Sequence, residues 1–333
     1  MKAIVFEGPK QLAVRDIPIP ALRPGWTLVR VSHAGICGSD QTILAGRHPR
    51  ARAPLVLGHE ISGTVASPHP TLPEGTLVAV YPFIACGTCE RCRVGQFHVC
   101  KTLKVIGIDL DGGMAEYILV PETHLVPVQA GIPPQLAAYI EPIAISVHAA
   151  RQGNYKPGDP AIVFGAGGIG LSVAITLRHF GAKQIIVCER DPARLDLARS
   201  MGFDTVESSP DTLKQLYDRT NGDGAEFVFD CAGHQSVIDI LPDAVKINGT
   251  IVLVAGYKIP PQMDFQKGMF REFDIRFVRN SARRDFEIAG SLAAQDPDYG
   301  RLLNCILPID EARRGFDVPA GAIKVMFSMT GEG

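Results

Sequence analysis

Short apolar runs, each broken by glycine or proline, fill the first 150 positions. Residues 28–32, 61–66, 77–81 and 115–120 are the clearest, and they read as β-strands between loops. The pattern there predicts an all-β region without helices. Near 154–159 the pattern changes. A turn from Lys156 to Asp159 leads into the apolar stretch 161–164, and from there strand-like and helix-like segments alternate over 183–188, 191–201, 212–219, 227–231, 236–247, 251–255 and 275–278. Such alternation predicts βαβ units, hence a parallel sheet with helices on both faces. The segment from about 285 onward has one helix-like stretch and an apolar end at 323–329. It is too short to be a domain and is expected to pack onto the first region. The expected organisation is a β-rich domain over 1–150, completed by 286–333, and a doubly wound parallel-sheet domain over 151–285. No internal repeat or low-complexity tract interrupts it.

Composition narrows the function classes. The chain has 333 residues, 46% hydrophobic and 20% charged, which excludes a disordered or fibrous protein. Its net charge of −2 gives no bulk electrostatic reason to bind nucleic acid or an anionic membrane. No apolar run reaches the length of about 18 residues that a transmembrane helix needs. The first residues, MKAIVFEGPK, read as neither a signal nor a transit peptide, so a cytoplasmic location is expected.

Four of the eight cysteines crowd into one stretch, Cys86, Cys89, Cys92 and Cys100. Thiols of the cytosol stay reduced, and a chain this long builds a core without disulfides. Two-residue gaps let successive thiolates face one centre, so this cluster is read as a closed tetrahedral zinc site with a structural role. An iron–sulfur or redox cluster is the alternative. Cys188, Cys231 and Cys305 are read as buried, unreactive thiols.

A second signal is Gly165-Ala166-Gly167-Gly168-Ile169-Gly170, which follows a predicted strand and opens a predicted helix. Glycines permit the tight turn and the close approach of backbone to a pyrophosphate, and the helix N-terminus supplies free N–H groups. The next strand ends in Glu189, placed to accept from the ribose hydroxyls of an adenosine and to repel a 2′-phosphate. NAD is therefore favoured over NADP. Arg190 and Arg194 keep NADP open, because either guanidinium pairs with a phosphate if Glu189 turns away.

The stretches Cys37-Gly38-Ser39-Asp40 and Gly58-His59-Glu60, with Glu141-Pro142, offer sulfur, nitrogen and oxygen donors suited to zinc. With these motifs, the four-cysteine lobe and the glycine loop in this order, the chain resembles the zinc-dependent medium-chain alcohol/polyol dehydrogenase family. The resemblance runs from Met1-Lys2-Ala3 to Ile323-Lys324-Val325 and lies on the sorbitol-dehydrogenase-like side.

The resemblance implies a GroES-like catalytic domain and a Rossmann domain, with two zinc ions per chain. It makes Cys37, His59, Glu60 and Glu141 the ligands of a catalytic zinc, Asp40 the acceptor that orients His59, and Ser39 the hydroxyl that takes the substrate proton. Many members carry a histidine two residues after the aspartate, as the outer end of a proton relay. Here that position is Thr42, so the proton leaves through Thr42, a water chain or another group such as His48. For the cofactor, the resemblance implies contacts from Gly165, Gly167, Gly168, Ile169, Gly170, Glu189, Arg194, Val254, Arg279 and Asn280. The implied reaction is reversible oxidation of a secondary alcohol of a polyol, sugar or cyclitol to a ketone, with NAD. Alternatives are an NADP-dependent carbonyl reductase, a threonine-dehydrogenase-like activity on an amino alcohol and, remotely, a non-catalytic member of the fold. Two arginine clusters, at Arg47, Arg50 and Arg52 and at Arg276, Arg279, Arg283 and Arg284, read either as solvated faces or as recognition of an acidic substrate. The expected partners are a small alcohol and a second copy of the chain, in a homo-dimer or homo-tetramer.

Overall fold

A computed structural model describes residues 1–330 of the chain. Two compact units emerge, one made of Met1–Ala144 with Ala282–Gly333 and the other of Ile145–Ser281.

The first unit is built around the long strand Trp26–Gly35, whose alternating side chains Val29, Val31 and Ala34 are buried. This strand pairs antiparallel with Glu60–Val65, with Tyr117–Pro121 along its first half, and with Val325–Ser328 along its last residues. The sheet continues through Leu77–Val80 to Leu125–Pro127 on one side and to Cys305–Pro308 on the other. A smaller sheet joins Gln11–Asp16, Lys2–Gly8 and Leu55–Val56. The expectation of an all-β first region needs correction. Helices occupy Gly38–Leu44, Pro134–Ala138 and Ile140–Gln152. The first is short and follows a strand closely, and the third is buried along most of its length, Glu141, Ser146 and His148 included, so neither carries the amphipathic period that marks a helix in sequence.

The second unit is a six-stranded parallel sheet in the order Asp204–Glu207, Ile185–Glu189, Ala161–Phe164, Ala225–Asp230, Val245–Leu253, Asp274–Phe277. Strand order reverses between Ala161–Phe164 and Ala225–Asp230, which opens a crevice at their carboxyl ends. The helix Gly168–His179 buries Leu171, Val173, Ala174, Ile175 and Leu177. The segment 236–247 is not one helix. Gln235–Ile238 and Leu241–Ala244 are separate turns, divided where Pro242 opens the second, and Val245 already begins a strand. Among the described residues no helix is long and apolar enough to cross a membrane.

Candidate active site and metal centres

Cys37 ends the strand-to-helix turn and stands at the N-cap of Gly38–Leu44. His59 and Glu60 arrive where Gly58, with φ of +95°, turns the chain into Glu60–Val65. A side chain at Gly58 would strike Met114, its Cβ 2.7 Å from Cγ. The turn brings a thiol, an imidazole and a carboxylate together, with their ligand atoms all within 4.8 Å of one another. His59 and Glu60 are buried and Cys37 is half-buried. Three mixed donors with access from one side make a site that can hold an ion and keep a position open.

Around this cluster several polar atoms lack a protein partner. Ser39 Oγ, His59 Nδ1 and Asp40 Oδ1 are buried without hydrogen bonds. Unpaired buried donors and acceptors are costly, and such atoms mark a site built for a bound group. Asp40 caps its helix through Oδ2, which accepts the Cys37 N–H at 2.8 Å, and the His59 imidazole is the foremost charge acting on its carboxyl. Glu141 stands at the start of Ile140–Gln152, buried, and lies outside the tight ligand cluster. Burial pushes its carboxyl up to about 7, against the pull of His59. Thr42 Oγ1 donates back to the Gly38 carbonyl at 2.9 Å. His48 Nδ1 accepts the N–H groups of Arg50 and Ala51, which gives that histidine a role in closing its loop.

Sequence reasoning missed one residue here. Lys324, ahead of the strand Val325–Ser328, is buried and forms an ion pair with Glu60, its Nζ donating to Oε1 at 2.5 Å and to the Ile36 carbonyl at 2.8 Å. Burial works against its charge, yet Glu60, Cys37 and Glu141 hold its pKa above the usual lysine value. In the sequence it stood out as a lone lysine in an apolar run, within the matching stretch Ile323-Lys324-Val325, with no role implied.

The four-cysteine lobe converges as its spacing predicts. Cys86 and Cys92 sulfurs lie 3.9 Å apart, Cys89 and Cys92 3.5 Å, and Cys89 and Cys100 4.0 Å. A tetrahedron with Zn–S bonds of about 2.3 Å has edges of about 3.8 Å, so the donor set fits one zinc ion closely. Gly87 and Gly95 take left-handed conformations that let the loop wrap, with φ of +74° and +77°. Hydrogen bonds from Thr88 and the Cys89 N–H bring the Cys86 thiol down to about 5, which favours the thiolate that metals bind.

In the second unit Gly165 has φ of +96°, and a Cβ at Gly170 would lie 1.8 Å from the Gly165 carbonyl oxygen. Gly167 is the N-cap of Gly168–His179, so Gly168, Ile169 and Gly170 form its first turn. The Glu189 carboxylate is fixed by three backbone donors: Ala166 N–H at 2.8 Å, Arg190 N–H at 2.7 Å and Asp191 N–H at 3.1 Å. Arg194 reaches over the loop, its Nη1 3.8 Å from where a Cβ on Gly167 would be. Val254 follows the strand Val245–Leu253, its N–H bonded to the Asp230 carbonyl at 3.0 Å. Arg279 is exposed, and Asn280 takes a left-handed φ of 59°.

Of the first arginine cluster, Arg50 pairs with Asp109 at 3.2 Å and Arg52 donates to the Pro49 and Ala51 carbonyls. Arg50 is thus tied to the segment Leu103 to Asp109 and Arg52 to its own loop, while Arg47 is exposed.

Comparison with known proteins agrees with this geometry. Residues 23–130 match the alcohol dehydrogenase GroES-like domain, and residues 168–295 match the zinc-binding dehydrogenase domain. The chain is 34% identical over 302 residues to L-galactonate-5-dehydrogenase of Escherichia coli K12, covering 89% of this chain and 88% of that one. A zinc-binding dehydrogenase of Sinorhizobium meliloti 1021, solved bound to NADP, superposes with a TM-score of 0.92 at 28% identity, over 98% of both chains. An alcohol dehydrogenase of E. coli CFT073, solved with NADH, gives 0.90 at 28% identity, over 98% of this chain and 99% of that one. The paired domains, their donor sets and these relatives together place the chain in the zinc-dependent medium-chain alcohol dehydrogenase family.

Proposed function

We propose that the protein oxidises a secondary alcohol of a polyol, sugar or sugar acid to a ketone, reversibly, using zinc and NAD. The observation that carries this reading is the convergence of Cys37, His59 and Glu60 on one point. Those three residues hold the catalytic ion, with Glu141 as a further carboxylate donor, and Cys86, Cys89, Cys92 and Cys100 hold a second, structural ion. When bound, the catalytic ion acts as a Lewis acid that lowers the pKa of the substrate hydroxyl. Ser39 Oγ, without a protein partner, receives that proton. A bound nicotinamide would supply the hydride acceptor that balances the two electrons lost by the substrate carbon. Thr42 already donates its proton to Gly38, so it serves as an acceptor in the onward path.

NAD is supported by Glu189. Its carboxylate is held by three N–H donors, which opposes the swing needed to admit a 2′-phosphate. Arg194, close to the glycine loop, would hold the pyrophosphate of a bound dinucleotide, and Val254, Arg279 and Asn280 would hold its nicotinamide half. The relative that acts on L-galactonate supports a sugar acid, and the exposed Arg47 is the group to meet its carboxylate.

The protein works as a homo-oligomer in the cytoplasm. Support for the oligomer comes from the edge strand Asp274–Phe277 and its surroundings, where Ile259, Phe265, Met269, Phe270 and Phe277 are each 67–79% exposed.

The test is NAD+ reduction, followed by absorbance, on linear polyols, cyclitols, aldoses, aldonates, sugar phosphates, threonine and simple secondary alcohols, each repeated with NADP+. Turnover of a polyol, sugar or aldonate with NAD+ is expected. No turnover of any of them by zinc-loaded protein would refute the reading.

A further inference from the structure

Lysine is seldom fully buried, and Lys324 is only 8% exposed. Its setting follows from sheet register. The strand Trp26–Gly35 has Glu60 opposite Gly35 on one side and Met326 opposite Gly35 on the other. Glu60 and Lys324 come from these two flanking strands and meet across Gly35. That position must lack a side chain, because a Cβ there would lie 1.9 Å from Glu60 Oε2 and 3.0 Å from Lys324 Cε. The ammonium also holds the carbonyl of Ile36, the residue before Cys37, and lies 5.8 Å from the centre of the buried Tyr139 ring. One cation is therefore anchored to the carboxylate of one candidate ligand and to the backbone beside another.

We propose that Lys324, paired with Glu60 and anchored to the Ile36 carbonyl, is a fixed cation beside the Cys37–His59–Glu60 centre that moderates the hold of the centre on a divalent metal. This rests on reading those three residues as a metal site. A divalent ion with Cys37, Glu60 and Glu141 around it has more negative charge than it neutralises. Lys324 restores the balance, and a less anionic centre accepts a negatively charged substrate oxygen more readily. Repulsion between a fixed cation and a divalent ion in a poorly screened interior is strong enough to change affinity tenfold or more.

The experiment follows zinc release from the intact, zinc-loaded protein to a chromogenic chelator. The phase belonging to the catalytic ion is the one missing in Cys37→Ser. Lys324→Gln keeps an N–H donor for Ile36 but removes the charge, and we expect it to slow that phase at least tenfold. Lys324→Arg, which keeps the charge, is expected to stay within threefold of the wild type. Faster or unchanged release in Lys324→Gln overturns the proposal, since a merely structural lysine loosens the site when lost. If Lys324→Gln alone does not fold, Glu60→Gln/Lys324→Gln is compared with Glu60→Gln. Slower release in the double variant is again expected, and equal or faster release overturns the proposal. Absence of any phase dependent on Cys37 refutes instead the metal reading on which the proposal stands.

Discussion

Replacing Gly35 with alanine is a clean probe of the packing beside the candidate metal centre. Gly35 does not have a positive φ, so alanine fits the backbone and the cost is steric alone. The new Cβ would stand 1.9 Å from Glu60 Oε2, where ordinary contact begins at 3.4 Å. The carboxylate must retreat by about 1.5 Å, which stretches its 2.5 Å bond to Lys324 beyond hydrogen-bond range. Removing one partner of a buried ion pair costs about 3–5 kcal/mol, and forcing the two charges apart is expected to approach the lower end of that range. A loss of about 3 kcal/mol lowers the melting temperature by roughly 6–12 °C in a domain of this size. The control is Gly300→Ala in the helix Asp298–Arg301, where a Cβ meets nothing within 4 Å. There alanine is expected to stabilise by about 0.5–1 kcal/mol. Thermal and urea unfolding of both variants supply the comparison. A Gly35→Ala protein within 1 kcal/mol of wild type, with Glu60 and Lys324 still paired, would refute the reasoning.

Further outcomes follow from the same geometry. Cys37→Ser should remove one equivalent of zinc per chain and depress alcohol oxidation at least 1000-fold, because a hydroxyl pKa brought from about 16 to about 7 represents about 12 kcal/mol of assistance; metal analysis with steady-state rates checks it. Glu189→Ala should cut the ratio of kcat/KM for NAD+ over NADP+ at least tenfold, measured by parallel titration of both cofactors. Glu141 gives a pH signature in the metal-free protein. Its folded value of about 7 lies above the ordinary 4.5, so the folded state keeps a proton the unfolded state releases. That contribution is complete below about pH 4.5 and fades as pH rises through 7, by about 3 kcal/mol at most. Glu141→Gln should flatten the decline, and a slope unchanged by the substitution in urea titrations across this range would count against it.

Local signals were readable in the sequence where neighbours in the chain are also neighbours in space. The cysteine lobe folds within Cys86 to Cys100, and its spacing alone indicated converging thiolates. The glycine loop, the strand before it and Glu189 lie within one βαβ unit, so their relation was visible as well. Helices were harder in the first unit. Ile140–Gln152 is buried on nearly all sides with polar residues among the buried ones, and Gly38–Leu44 is only two turns long, so neither carries the amphipathic stripe that periodicity detects. The pairing of Glu60 with Lys324 was beyond reach. It spans 264 positions and depends on register across three strands, which no local pattern encodes. The capping role of Asp40 toward the Cys37 N–H was equally hidden, because it depends on where a turn ends, not on residue type.

The strand Val325–Ser328 lies inside its sheet, hydrogen-bonded to Trp26–Gly35 on one side and to Cys305–Pro308 on the other. A ribosome synthesising this chain delivers Cys37, His59 and Glu60 more than 260 residues before Lys324 and the strand behind it. The continuous unit Ile145–Ser281 has all its strands in hand long before that moment. Until Val325–Ser328 is made, His33 to Gly35 lack their partner on that side and present a short unpaired hydrogen-bonding edge. A chain interrupted before Lys324 therefore carries the donor cluster with no lysine to balance it.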